Sequence, residues 1–237
     1  MTVQVVVFDL DGTLTATTDV DSTCYVEAFK AEFGLPLDPD WSRYRHCTDE
    51  GIAAEALQRY HDAPPSTEQL QRLKRRFVQL LATASSSPAC FQAVPGALEL
   101  LQLLRDAGWV VRIATGAWRA SAALKIAAAR LPRSIPVFAC DNCPARGAIL
   151  SAAIASARKE ACGSLSRVVA VGDGRWDVDA AIELALPFVG VATGNRQALL
   201  REAGAKVVIS DYTDPANAIA HLESAPIPSR KVVRGVG

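Results

Sequence analysis

A chain of 237 residues with 25 Lys and Arg against 25 Asp and Glu, half its residues apolar and 6% aromatic, has the composition of a globular protein, neither disordered nor fibrous. That length means one large domain, or a domain carrying a smaller insertion, either able to bury a substantial core. Zero formal net charge removes the broad basic footprint of a general nucleic-acid binder, and no apolar run approaches the roughly 18 residues that cross a bilayer.

Along the chain, short apolar runs recur at Val3 to Phe8, Val110 to Ala114, Ile135 to Ala139, Val168 to Val171, Phe188 to Val191 and Val207 to Ile209. Most lack the apolar/polar alternation of a half-exposed strand, so they read as strands covered on both faces. Stretches of helical length lie between them at Gly96 to Ala107, Ala117 to Ala129, Ala145 to Lys159 and Trp176 to Ala185. Strand followed by helix, repeated, is the pattern of an α/β fold with a doubly wound parallel sheet. The segment from Ala16 to Pro88 breaks the rhythm with three helix-like stretches, Val20 to Phe33, Asp49 to Tyr60 and Thr67 to Leu81, and no convincing strand. The expected organisation is therefore a core of residues 1–15 and 89–223, a helical insertion of residues 16–88, and a frayed basic tail of residues 224–237.

In an open parallel sheet, ligands bind beyond the carboxyl ends of the strands. The first run ends in Asp9-Leu10-Asp11-Gly12-Thr13-Leu14-Thr15, the second in Thr115-Gly116, and the fourth in Gly172-Asp173-Gly174-Arg175-Trp176-Asp177. These ends would gather four carboxylates and a hydroxyl. Any one Asp could merely cap a helix, but four in one crevice repel one another unless a cation compensates them. Oxygen ligands with no nearby His or Cys suit a hard ion, Mg²⁺ foremost.

Asp9-Leu-Asp-Gly-Thr-Leu-Thr15 resembles the first motif of the haloacid dehalogenase superfamily. Thr115 falls where the second motif has Ser or Thr, and Gly172 to Asp177 resembles the fourth. The resemblance spans Val3 to about Asp214. It implies a Rossmann-like core with an inserted helical cap, as in the phosphoglycolate-phosphatase-like and β-phosphoglucomutase-like branch. It further implies a phosphatase of a small phosphorylated metabolite, while the charge balance and the short apolar runs give no nucleic-acid or membrane partner. Asp9 would attack phosphorus to form an aspartyl-phosphate, and Asp11 would act as acid and base. Mg²⁺ would lie on Asp9, the Asp11 carbonyl, Asp173 and Asp177, and Thr115 would donate to a phosphoryl oxygen. A phosphomutase stays open as an alternative. The third motif supplies a cation: Arg146, in the loop entering a helix, is the choice, and Lys125 is its rival, set inside a predicted helix where a solvated face is an equally good reading.

Other features compete for function. Cys140-Asp-Asn-Cys143 has the spacing of a redox pair and is the alternative from another class, although the six cysteines are scattered and read as reduced thiols, which favours the cytoplasm. A non-catalytic phosphate binder is disfavoured because Asp9 and Asp11 are both present, and a receiver domain by the long insertion. Arg43, Arg45, His46 and the run Arg72 to Arg76 concentrate positive charge within the insertion, with Arg43, Arg45 or Arg75 the expected contacts to a leaving group. Trp118 and Trp176, each following motif residues, read by default as packing between helix and sheet.

Overall fold

A computed structural model describes residues 3–61, 64–161 and 164–230. Six parallel strands form one sheet in the order β3-β2-β1-β4-β5-β6. They are β1 (Val3–Phe8), β2 (Val110–Ala114), β3 (Val137–Phe138), β4 (Leu165–Gly172), β5 (Phe188–Val191) and β6 (Val207–Ile209). The missing alternation in β1 has a direct cause. Val5 and Val7 point into one layer of core and Val6 and Phe8 into the other, all four essentially inaccessible to solvent.

Helices α1 (Thr18–Phe33), α2 (Asp49–His61), α3 (Thr67–Ala84) and α4 (Ala97–Asp106) lie between β1 and β2. The later crossings carry α5 (Arg119–Ala128), α6 (Arg146–Glu160), α7 (Arg175–Glu183) and α8 (Asn195–Ala203), and α9 (Pro215–Ser224) follows β6. The chain reverses direction across the sheet at β1, with β2 on one side and β4 on the other, so a crevice opens beyond the carboxyl ends of those strands.

The insertion leaves and rejoins the core at adjacent points. The Ala16 N–H donates to the Gln92 carbonyl, and the Val94 N–H to the Leu14 carbonyl. Helix α3 opens with a reciprocal cap between Ser66 and Gln69, and Leu73, Phe77 and Leu81, spaced four apart, give it one buried stripe. Phe77 meets the Tyr25 ring edge-on at 5.1 Å and the Trp118 ring at 6.2 Å, joining α3 and α1 to the loop after β2.

Two helices lie beyond those read from the sequence. Helix α8 was obscured because Leu200 is its one buried residue, leaving almost no apolar stripe to read. Helix α9 carried a legible start, since Asp214 accepts the Asn217 N–H and Pro215 occupies the first turn. The tail also differs from expectation over residues 225–230. Arg167 donates to the Leu222 and Ala225 carbonyls, the Phe188 N–H to the Pro226 carbonyl, and the Ser229 N–H to the Gly204 carbonyl, so this stretch is laid against the core. Basic residues Lys231 and Arg234 lie outside the described residues.

Phe77→Ala removes the ring at the junction of α1, α3 and Trp118. It is expected to lower unfolding free energy by about 3–5 kcal/mol, read from urea denaturation midpoints. A loss under about 1 kcal/mol would mean that the stripe is not packed as described.

Candidate active site

Beyond β1 the main chain turns within a few residues. The Asp9 N–H still pairs with the Val171 carbonyl of β4, and the Leu10 carbonyl then accepts the N–H groups of both Leu14 and Thr15 at 2.9 Å. Leu10 and Leu14 are buried in the core, so the acidic residues between and beside them are held at its rim. Gly12 has φ +76°, and a Cβ there would stand 2.0 Å from Asp173 Oδ2. Glycine is thus required both for the turn and for the approach of the two acidic loops.

Asp9 and Asp177 form one set and Asp11 with Asp21 a second, each organised by one buried cation, while Asp173 pairs with the half-exposed Arg196. Arg146, at the start of α6, bonds Asp9 Oδ1 and reaches Asp177 Oδ1 through Nε at 2.9 Å and through a terminal nitrogen at 2.5 Å. The other Asp177 oxygen accepts the Gly174 N–H at 3.1 Å, so both oxygens of Asp177 are taken by protein donors. Lys125 organises the second set: its Nζ lies 2.6 Å from Asp11 Oδ2 and 2.6 Å from Asp21 Oδ1. Thr17 donates at 2.5 Å to the other Asp11 oxygen.

Lys125 is therefore not on a solvated helix face; it is 0% exposed. Its place in α5 is fixed by periodicity, because Ser121, Ala122, Lys125 and Ile126 form the buried stripe of that helix. The same spacing was available in the sequence. Arg146 and Lys125 are not rivals for one position, since each meets a different aspartate.

Asp9, Asp173 and Asp177 are 7%, 5% and 6% exposed, and one oxygen from each lies within 4.8 Å of the others. Burial, with the charges of Asp177 and Asp11, pushes Asp9 up to about 7 although Arg146 pulls it down. Burial and the neighbouring Asp9 and Asp177 hold Asp173 well above the ordinary carboxylate range despite Arg196, whose guanidinium lies 2.9 Å away. Burial opposes the charges of both Arg146 and Lys125, yet their surrounding carboxylates outweigh it and raise both above their ordinary values. The acidic set is therefore short of positive charge, and its all-oxygen donors fit a hard divalent cation.

A narrow cavity with about 80 Å³ of water-accessible space brings Asp9, Asp11, Asp173, Thr115 and Arg146 together with groups from the insertion. Thr115 is buried, and its Oγ1 accepts the Ala117 N–H at 3.1 Å. The insertion presses on the loop after β2, where the Asp49 N–H donates to the Gly116 carbonyl at 2.8 Å. Asp21 and Asp49, which sequence reasoning missed, line the cavity. Burial and the Asp11 charge push Asp21 up to about 6 against the pull of Lys125.

The basic residues of the insertion lie elsewhere. Arg43 pairs with Asp38 and Asp40, Arg72 with Glu32 and Glu68, and Lys74 with Asp141; Arg75 and Arg76 are exposed. Arg45 and His46 line an adjoining crevice and not the cavity over Asp9. Trp118 is core packing, as expected, whereas Trp176 borders the cavity, its ring lying over Gly174. Cys140 is fully buried and its thiol is pushed up by that burial, the opposite of what a reactive thiolate needs.

A sequence model of the haloacid dehalogenase-like hydrolases matches residues 3–184. A phosphoglycolate phosphatase of Caulobacter vibrioides is 32% identical, the match covering 94% of each chain. The crystal structure of a hydrolase from Pseudomonas syringae superposes with a TM-score of 0.72 at 25% identity, covering 94% of this chain and 100% of that one. CbbY from Rhodobacter sphaeroides, solved in complex with phosphate, shares the fold with a TM-score of 0.63 at 19% identity, over 90% of this chain and 96% of that one.

Replacing Lys125 tests the second set of contacts. Lys125→Met leaves Asp11, Asp21 and Asp49 without their buried cation, and a loss of about 3–5 kcal/mol is expected in chemical denaturation. A residue on a solvated face would change stability by no more than about 0.5 kcal/mol, and that result would contradict the geometry.

Proposed function

The chain belongs to the haloacid dehalogenase-like hydrolases, and from that membership we propose a Mg²⁺-dependent phosphatase that hydrolyses a small phosphorylated metabolite through a phosphoryl group carried on Asp9. One observation carries this reading: Asp9 and Asp11 share a cavity but are held by different partners, Arg146 for one and Lys125 with Thr17 for the other. Two identical side chains held differently are suited to two roles.

Asp9 attacks phosphorus in line with the bond to the departing alcohol. As that bond breaks, Asp11 passes a proton to the alcohol oxygen. Asp11 then takes a proton from the water that attacks the acyl phosphate, phosphate leaves, and Asp9 is returned as a carboxylate. Arg146 fixes one Asp9 oxygen during these steps. The Thr115 hydroxyl already accepts the Ala117 N–H, which leaves its own proton for a phosphoryl oxygen. Lys125 and Thr17 hold the two Asp11 oxygens and so fix the direction from which the proton is delivered.

Asp9 and Asp173, with the Asp11 main-chain carbonyl, are the residues that would hold Mg²⁺, and Asp177 would stand beside them, orienting Arg146 and the start of α7. When bound, the ion supplies positive charge against the phosphoryl oxygens. In the same reading residues 16–88 form a cap hinged near Ala16 to Thr18 and Ser85 to Pro88, which closes to exclude bulk water and opens to release phosphate.

The test is phosphate release from a panel of phosphorylated metabolites and p-nitrophenyl phosphate. Activity is expected with Mg²⁺, is lost with EDTA and returns on adding Mg²⁺ back, and Asp9→Asn is expected to lower kcat by at least about 10³-fold. Release that is indifferent to chelation, or full activity in Asp9→Asn, would contradict the proposal.

A further inference from the structure

The insertion supplies a wall of this cavity whose charged side chains are Asp21 and Asp49. Three of its donors are engaged by the protein: Tyr25 Oη bonds the Asp49 carbonyl, Trp41 Nε1 donates to Ser22 Oγ at 2.9 Å, and Thr48 Oγ1 donates to the Pro144 carbonyl at 2.9 Å. Its acceptors are not. Asp49 Oδ2 takes the Trp118 N–H at 2.8 Å and Asp21 Oδ1 takes Lys125, but the second oxygen of each carboxylate has no partner among the described residues. The Thr18 hydroxyl, on the same wall, is likewise unpartnered and can donate or accept.

Lys125 offsets Asp21 from inside the protein, but it does not line the cavity. Among the described residues Arg146 is the cationic side chain lining the cavity, and it faces Asp9 and Asp177, while Lys125 is enclosed between Asp11 and Asp21. Unpartnered carboxyl oxygens attract groups that donate hydrogen bonds, and with no free cation on this wall among the described residues a second anion would go uncompensated. We propose that the departing alcohol carries a hydrogen-bond donor, hydroxyl or ammonium, within reach of Asp21 and Asp49, and no negative charge of its own. The inference rests on the phosphatase reading and narrows its substrate class. It departs from the Caulobacter relative, whose name points to an alcohol bearing a carboxylate.

Three two-carbon phosphoesters test it, because they differ in one terminal group: ethylene glycol monophosphate, O-phosphoethanolamine and 2-phosphoglycolate, with p-nitrophenyl phosphate as control. The hydroxyl or the ammonium compound is expected to exceed 2-phosphoglycolate in kcat/KM by at least about tenfold, and whichever leads distinguishes the two donors. Asp49→Asn is expected to shrink that ratio by about tenfold, and a ratio within one variant does not depend on how much of it is folded. Equal or better turnover of 2-phosphoglycolate would overturn the inference and leave the phosphatase reading standing. So would turnover of p-nitrophenyl phosphate with none of the three accepted. No release from any of the four would overturn the phosphatase reading itself.

Discussion

Carboxylates crowded at the carboxyl edge of a buried sheet repel one another, and the way this chain contains that repulsion shapes everything around it. Asp9, Asp11, Asp173 and Asp177 come from two strand ends, and the insertion adds Asp21 and Asp49. Arg146 and Lys125, both buried, hold Asp9 with Asp177 and Asp11 with Asp21, while Asp173 takes Arg196 and Asp49 the Trp118 N–H. In a medium that screens charge poorly, each cation stabilises its partners far more than a surface pair would, and removing it leaves uncompensated charge behind. Arg146 suits its place because a planar fork can meet Asp9 and Asp177 together. Lys125 suits the other as a point charge at the end of a flexible stem that reaches across from α5 to Asp11 and Asp21.

That containment depends on the fold at three places. Strand β1 sits where the chain reverses across the sheet, so its end faces the end of β4. Gly12 removes the one side-chain atom that would keep those loops apart. Phe77, Tyr25 and Trp118 then fasten the insertion over the crevice, which brings Asp21 to Lys125 and Asp49 to the Trp118 N–H. Packing, electrostatics and site geometry are thus linked through the same few residues.

The strands and most helices could be read from the sequence because both depend on local pattern: continuous apolar runs for strands covered twice, and punctuated helical stretches between them. Asp9, Asp11, Thr115 and Asp173 could be read for the same reason, since each lies within three residues of the end of an apolar run. Arg146 was legible from its place entering a helix, although its contact with Asp9 spans 137 residues of chain. Lys125 was harder to read because a charged residue in a helix usually faces water; its register with Ser121, Ala122 and Ile126 is the signal that sets it inside. Asp21 and Asp49 had no local signature. Their meaning lies in partners 104 and 69 residues away, which packing alone brings near.

The central claim is that Asp9 carries the phosphoryl group while Asp11 manages the proton, and trapping the intermediate tests it most directly. In Asp11→Asn, a substrate with a good leaving group such as p-nitrophenyl phosphate needs little acid assistance, so the first step survives while hydrolysis of the adduct is slowed by about 10²- to 10⁴-fold. Acid quenching followed by peptide mapping in a mass spectrometer is expected to find one phosphoryl group, labile to base, on Asp9. Phosphate on any other residue, or an adduct that also forms in Asp9→Asn, would contradict the account.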